Sequence, residues 1–100
     1  MIELYIQHSC PFCQKVLRAA DQLGLTEGTH YSVVDAAPGT AGRKTVQSRG
    51  GRSMVPFLVD GDRAMYESLD IIAYLEEHGL LTKYYQHLEE AAYEMGRDHA

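Results

Sequence analysis

The sequence predicts an α/β fold: a four-stranded mixed sheet in the order β-α-β-α-β-β-α, with one additional helix at the C-terminus. Three observations carry this. Ile2 to Ile6 is rich in β-formers and is followed by an apolar stripe at helical spacing, Phe12, Val16, Leu17, Ala20 and Leu23. Tyr31, Val33 and Val34 mark a second strand, which a crossover helix would place parallel to the first with a right-handed connection. Val55 to Val59, the turn Asp60-Gly61-Asp62 and Arg63 to Tyr66 read as an antiparallel hairpin.

The remaining elements follow from local signals. Pro11 suits the first turn of a helix, where its missing N–H costs nothing, and Gly24 is the expected stop. Pro38 and Gly39 break the chain, and Gly42 to Ser48 is expected to form a short irregular helix ended by Gly50-Gly51. Ser68 is the expected N-cap of a helix through Leu69, Ile71, Ile72, Tyr74 and Leu75, closed by Gly79. Leu81, Tyr84, Tyr85, Leu88, Ala91, Ala92 and Met95 recur at three- and four-residue spacing, which predicts a terminal amphipathic helix. The expected organisation is therefore a domain over residues 1–79 and a helical extension of that same domain over residues 80–100.

Composition narrows the function. The chain has 100 residues, 45% of them hydrophobic and 23% charged, with a formal net charge of −5. This is the balance of a globular domain, and the length suits only one. The basic residues Lys15, Arg18, Arg43, Lys44, Arg49 and Arg52 lie in the first 59 positions, whereas most of the acids follow Val59. An acidic chain without a basic helix face or an aromatic ladder argues against nucleic-acid binding. The stretch from Arg43 to Arg52 could attract a small anion through its local field. No apolar run approaches the ~18–20 residues needed to span a bilayer, so no membrane partner is expected. The N-terminus lacks a basic segment followed by a long apolar one, so no signal peptide is expected and a cytoplasmic location is expected. Met1 leading directly into a strand suggests a complete small protein.

Cys10 and Cys13 are the only cysteines. Two are too few for a disulfide scaffold, and a pair this close staples almost nothing. With Pro11 as first helical residue, Cys10 falls at the N-cap, where unpaired N–H groups and the positive helix end converge. A thiolate is stabilised there, so its pKa should lie below the ~8.5 of a free thiol. Cys13, one turn on, would be more buried. Cys10 is then the nucleophile toward a disulfide and Cys13 the resolving thiol. Strand, Cys-x-x-Cys, helix within a β-α-β unit is the context that makes the pair informative. A pair of structural buried thiols remains an alternative. A zinc site needs four ligands, and His8, Cys10 and Cys13 supply three at most, so no metal is expected.

Three blocks, in this order and spacing, resemble the glutaredoxins and the related N-terminal thioredoxin-fold domain of glutathione transferases. They are Cys10-Pro11-Phe12-Cys13 after a strand, Met54-Val55-Pro56-Phe57-Leu58, and Tyr66-Glu67-Ser68-Leu69-Asp70-Ile71-Ile72-Ala73-Tyr74-Leu75. The resemblance spans Ile2 to about Gly79 and implies a thioredoxin-like fold. It also implies that Pro11 and Phe12 border a glutathione site and that a cis Val55–Pro56 bond is present. The Val55 backbone would then pair with the cysteinyl part of glutathione like an added strand. Ser68, as N-cap, would leave backbone donors for the γ-glutamyl carboxylate, and Glu67 would take its ammonium group. The family often carries a Lys or Arg just before the redox motif; here Gln7, His8 and Ser9 stand there. The glycyl carboxylate is therefore assigned first to Arg52 and then to Arg49.

The function so implied is a glutathione-dependent thiol–disulfide oxidoreductase, a monomer that reduces protein disulfides and glutathione mixed disulfides through Cys10 and Cys13. Glutathione is its co-substrate, no cofactor is tightly bound, and its protein partners are disulfide-containing or glutathionylated proteins. The alternatives are an iron–sulfur cluster protein, with the cluster held between two subunits through Cys10 and glutathione, and a transferase-like glutathione-binding domain. A flavoprotein reductase in place of glutathione is a further variant of the same dithiol chemistry.

Overall fold

The computed structural model describes residues 1–79. The expected helix over Leu81 to Met95, and with it the extension 80–100, lies outside the described residues. Four strands, β1 (Ile2–Ile6), β2 (Tyr31–Asp35), β3 (Phe57–Asp60) and β4 (Arg63–Met65), form one sheet in the order β2-β1-β3-β4. β1 runs parallel to β2 and antiparallel to β3, and β3 and β4 form the antiparallel hairpin. The fold is thioredoxin-like, with the mixed sheet that the sequence predicts.

The central position of β1 explains why four of its five residues are buried. Ile2, Leu4 and Ile6 pack on one face with Cys13, Val16 and Ala20 of α1 (Pro11–Gln22) and with Ile71 and Tyr74 of α3 (Ser68–Tyr74). Tyr5 faces the other way, into a smaller cluster with Ala36, Phe57, Val59 and Val46 of α2 (Ala41–Gly50). A strand covered on both faces needs apolar residues at consecutive positions. Leu4, Ile6, Phe57 and Leu58 are fully buried, so the two strands that lead to and from the site are the best-packed part of the sheet.

Helix α1 starts at Pro11, as expected, and stops in a Schellman motif. Gly24 takes φ 76°, and its N–H bonds Asp21 O while the Leu25 N–H bonds Ala20 O. Helix α2 departs from the short irregular helix expected. It is a regular helix of ten residues, capped by the Thr40 hydroxyl, which accepts the Arg43 N–H at 3.2 Å, and closed by Gly51 at φ 86°. Its weak helix formers are offset by those two caps and by docking on the sheet. The docking is close: a Cβ at Gly42 would collide with the carbonyl oxygen of Asp35.

Two further boundaries differ. β3 begins at Phe57 and not at Val55, because Pro56 has no N–H to give the ladder. The N-cap of α3 is Glu67 and not Ser68. The Glu67 carbonyl accepts the first helical bond, from the Ile71 N–H at 3.0 Å, and Ser68 is the first residue of the helix and buried. A π-helical turn, Leu75–Gly79, continues from α3.

Candidate functional site

The site lies beyond the C-terminal end of β1, where the start of α1, the segment before β3 and the start of α3 meet. Cys10 is the N-cap of α1 with an extended backbone (φ −82°, ψ 121°). Its N–H donates to Gln7 O at 2.9 Å, and its own carbonyl accepts the Gln14 N–H at 3.0 Å. The Gln14 side chain donates to His8 O at 2.9 Å, so the loop that presents the thiol is tied at both ends. Both cysteines are free thiols: Cys10 is half-buried and Cys13 fully buried.

Three residues apart, the two sulfurs are pulled in opposite directions. Partial burial pushes the Cys10 thiol up, but it is outweighed. The Cys13 N–H, the Cys13 thiol and the Phe12 N–H bond its thiolate, and the Arg43 guanidinium adds its charge, so its pKa is lowered. Burial dominates at Cys13 and pushes it up to about 11. The Gln7 N–H and Arg43 oppose that shift, while the neighbouring Cys10 sulfur adds to it. Of the two, Cys10 therefore ionises more readily and Cys13 is held protonated, and a lowered Cys10 pKa is the direction that the N-cap position predicts.

Beside the thiol opens a cleft of about 140 Å³, lined by Phe12, Met54, Val55, Pro56, Glu67 and Ser68. Residues from three separate blocks of sequence are thereby brought to one place. Phe12 is 62% exposed and forms an open aromatic wall. The Val55–Pro56 bond is cis, as the resemblance implies, and Glu67 is the one non-glycine residue with positive φ among those described (φ 71°, ψ 118°). Pro11 sits between the thiol and Phe12 as the first residue of α1.

Arg52 and Arg49 do not line this cleft. The Arg52 guanidinium lies over the Tyr66 ring, 4.6 Å from its centroid, while the Tyr66 hydroxyl is bonded by the Arg52 N–H and donates to Arg52 O. Arg49 donates to Gly61 O at 3.0 Å, in the β3–β4 turn. Two residues that the sequence does not single out for the site belong to it. Met54 lines the cleft and is exposed; its place directly before Val55-Pro56 was the available signal. Arg43 is the cation that acts on both thiols. Its signal was electrostatic: a basic residue in the first turn of a helix faces the wrong end of the dipole and needs partners elsewhere. Among the described residues no three His, Cys, Asp or Glu side chains gather into a metal-binding group, and no helix is long and apolar enough to cross a membrane.

Comparison with solved structures places this geometry. A glutathione transferase Omega 3C from Trametes versicolor superposes with a TM-score of 0.65 at 22% identity, over 77% of this chain and 33% of that one. Glutaredoxin 2 from Salmonella typhimurium, solved in complex with glutathione, superposes at 0.61 with 29% identity, over 77% of this chain and 33% of that one. A mutant of the thioredoxin-like protein BC3987 superposes at 0.60 with 20% identity, over 75% of this chain and 97% of that one. The chain thus spans about a third of the length of the transferase and the glutaredoxin it resembles. No curated protein sequence matches it. The family model of the glutathione S-transferase N-terminal domain matches residues 4–79, which includes the Cys10 loop, the cis-proline segment and the start of α3. By that match, the chain belongs to the glutathione S-transferase N-terminal domain family.

Proposed function

We propose that this domain binds glutathione in the cleft and works as a dithiol thiol–disulfide oxidoreductase. The observation that carries the reading is the opposite displacement of two thiols one helical turn apart, beside a cleft walled by Val55 and Phe12. The Cys10 thiolate attacks a glutathionylated protein at the glutathione sulfur. The mixed disulfide breaks, the protein leaves as thiolate, and Cys10 is joined to glutathione. A second glutathione thiolate attacks that bond, which releases oxidised glutathione and restores the Cys10 thiolate. On a protein disulfide, Cys10 forms a mixed disulfide with one protein sulfur and the other leaves as thiolate. Cys13 then loses its proton and attacks the Cys10 sulfur, the Cys10–protein bond breaks and the protein leaves as thiolate. Two glutathione molecules reduce the resulting Cys10–Cys13 bond to the dithiol and depart as oxidised glutathione. The Val55 backbone pairs with the cysteinyl unit in this reading, and Glu67 and Ser68 face the γ-glutamyl end. In this reading the domain comprises residues 1–79, works as a monomer in the reducing cytoplasm, and carries residues 80–100 as an extension of itself.

The test compares wild type with Cys13→Ser in two assays, with glutathione as reductant. Deglutathionylation is expected to persist in Cys13→Ser, and reduction of a protein disulfide to fall at least about ten-fold. Equal loss in both assays overturns the division of roles. A second reading, a transferase-like domain that activates the glutathione thiol for conjugation, is favoured by the family match itself. Conjugation of an aryl chloride that survives Cys10→Ser, with no disulfide exchange in wild type, would establish it instead.

A further inference from the structure

Arg43 stands in the first turn of α2, and what holds its guanidinium is a set of acceptors from three other segments. Nε donates to Ala36 O at 2.6 Å. Ala36 follows β2 and is docked by its own N–H on Ile6 O at 2.7 Å, so this bond anchors the guanidinium to the end of the sheet. Nη1 donates to Ser53 O at 3.0 Å and to Ser53 Oγ at 3.3 Å. Nη2 donates to Gln7 Oε1 at 3.2 Å.

The last two acceptors belong to the two walls of the site. Gln7 is the residue on which the thiol loop turns: its carbonyl takes the Cys10 N–H and its N–H bonds the Cys13 sulfur. Ser53 lies two residues before Val55, which lines the cleft. We infer that Arg43 is a positioning residue, a brace between the Gln7–Cys10 loop and the Ser53–Pro56 segment that sets the gap between the nucleophilic sulfur and the cleft wall. For its part in turnover this rests on the dithiol–glutathione reading; the brace itself does not.

A guanidinium suits the task, because its planar fork offers donors in three fixed directions, and an ammonium group cannot span three separate acceptors at set angles. In-line attack on a disulfide depends on that spacing, since a misplacement of about 1 Å costs on the order of a hundred-fold in rate. The brace also brings a positive charge to both thiols, which assists Cys10 in the same stroke.

The experiment uses Arg43→Lys, Arg43→Met and Gln7→Ala. It reads kcat and KM for exchange with a glutathione mixed disulfide, the pH midpoint of Cys10 alkylation, and hydrogen-exchange protection of the Cys10 amide. Arg43→Lys keeps the charge and loses the fork, so kcat/KM is expected to fall about ten-fold with little movement of the alkylation midpoint. Arg43→Met should lose at least as much and raise that midpoint. Gln7→Ala, which cuts one arm and leaves the arginine in place, should cost about three-fold and lower protection of the Cys10 amide. Wild-type kinetics in both Arg43→Lys and Gln7→Ala overturn the brace, as does a loss confined to Arg43→Met, which would reduce Arg43 to a charge. Should the Arg43 variants not fold, Gln7→Ala decides by the same criterion. If wild type itself performs no exchange, the functional reading fails, and protection of the Cys10 amide in Gln7→Ala still tests the brace: reduced protection supports it, unchanged protection ends it.

Discussion

Helices α1 and α2 begin with the same unmet need, a turn of backbone N–H groups without partners, and they meet it differently. At α2 the Thr40 hydroxyl accepts the Arg43 N–H, and the start of the helix is closed. At α1 no side-chain bond closes the cap; the Phe12 and Cys13 N–H groups are left to favour the ionised form of the Cys10 sulfur. A hydroxyl satisfies an amide while it stays neutral, whereas a thiol does so best after losing its proton. The comparison teaches that the start of α1 gives up cap stability for an acidic thiol, and that α2 has no reason to.

The largest effect that could break this contrast is in Cys10→Ser. Exchange should fall by about a thousand-fold or more, because the nucleophile is gone. Yet serine is a good N-cap, so the melting temperature should hold or rise, with a gain of up to about 1 kcal/mol. A clear drop in thermal stability would mean that the sulfur stabilises the helix start better than a hydroxyl does, and that no cap stability is given up. Next in size is the separation of the two thiols, read by mass-resolved alkylation against pH. Labelling of Cys10 should climb with pH and level off once its lowered pKa is passed, below the range of an ordinary thiol. Cys13, pushed up to about 11, should remain protonated and unlabelled at neutral pH. A shared midpoint for the two cysteines would refute the opposite shifts. The smallest effect is in Thr40→Ala, which should cost about 1 kcal/mol in a urea titration and leave the Cys10 labelling midpoint where it was. Movement of that midpoint would show that the two helix starts are not independent.

What the sequence made legible follows this same line between local and distant. The start of α1 with its cysteine pair is written within a dozen residues, a strand, a polar triplet and Cys10-Pro11-Phe12-Cys13, and strand and helix form where that order predicts them. The cleft wall was accessible only through the likeness of Val55-Pro56 and Glu67-Ser68 to a known family, since no periodicity announces that two loops will meet. Arg43 was legible only as a charge, because its acceptors lie 7, 10 and 36 residues away and the reach of a fork leaves no pattern in the chain. Helix α2 was under-read for a related reason: glycines and β-branched residues weaken its helical pattern, and only Gly42 and Val46 are buried on the sheet. At α3 the residue type pointed to Ser68 as cap, but the positive φ of Glu67 moves the cap one position back.

Gly42 carries a consequence for how much change the domain can absorb. It touches neither sulfur nor the cleft, and by the usual reckoning of distance from the chemistry it ought to be a permissive position. Any side chain there would force α2 off the Asp35 carbonyl, and the residue carried along with the helix is Arg43. In a library selected for thiol exchange, position 42 would then admit a single amino acid and rank beside the two cysteines.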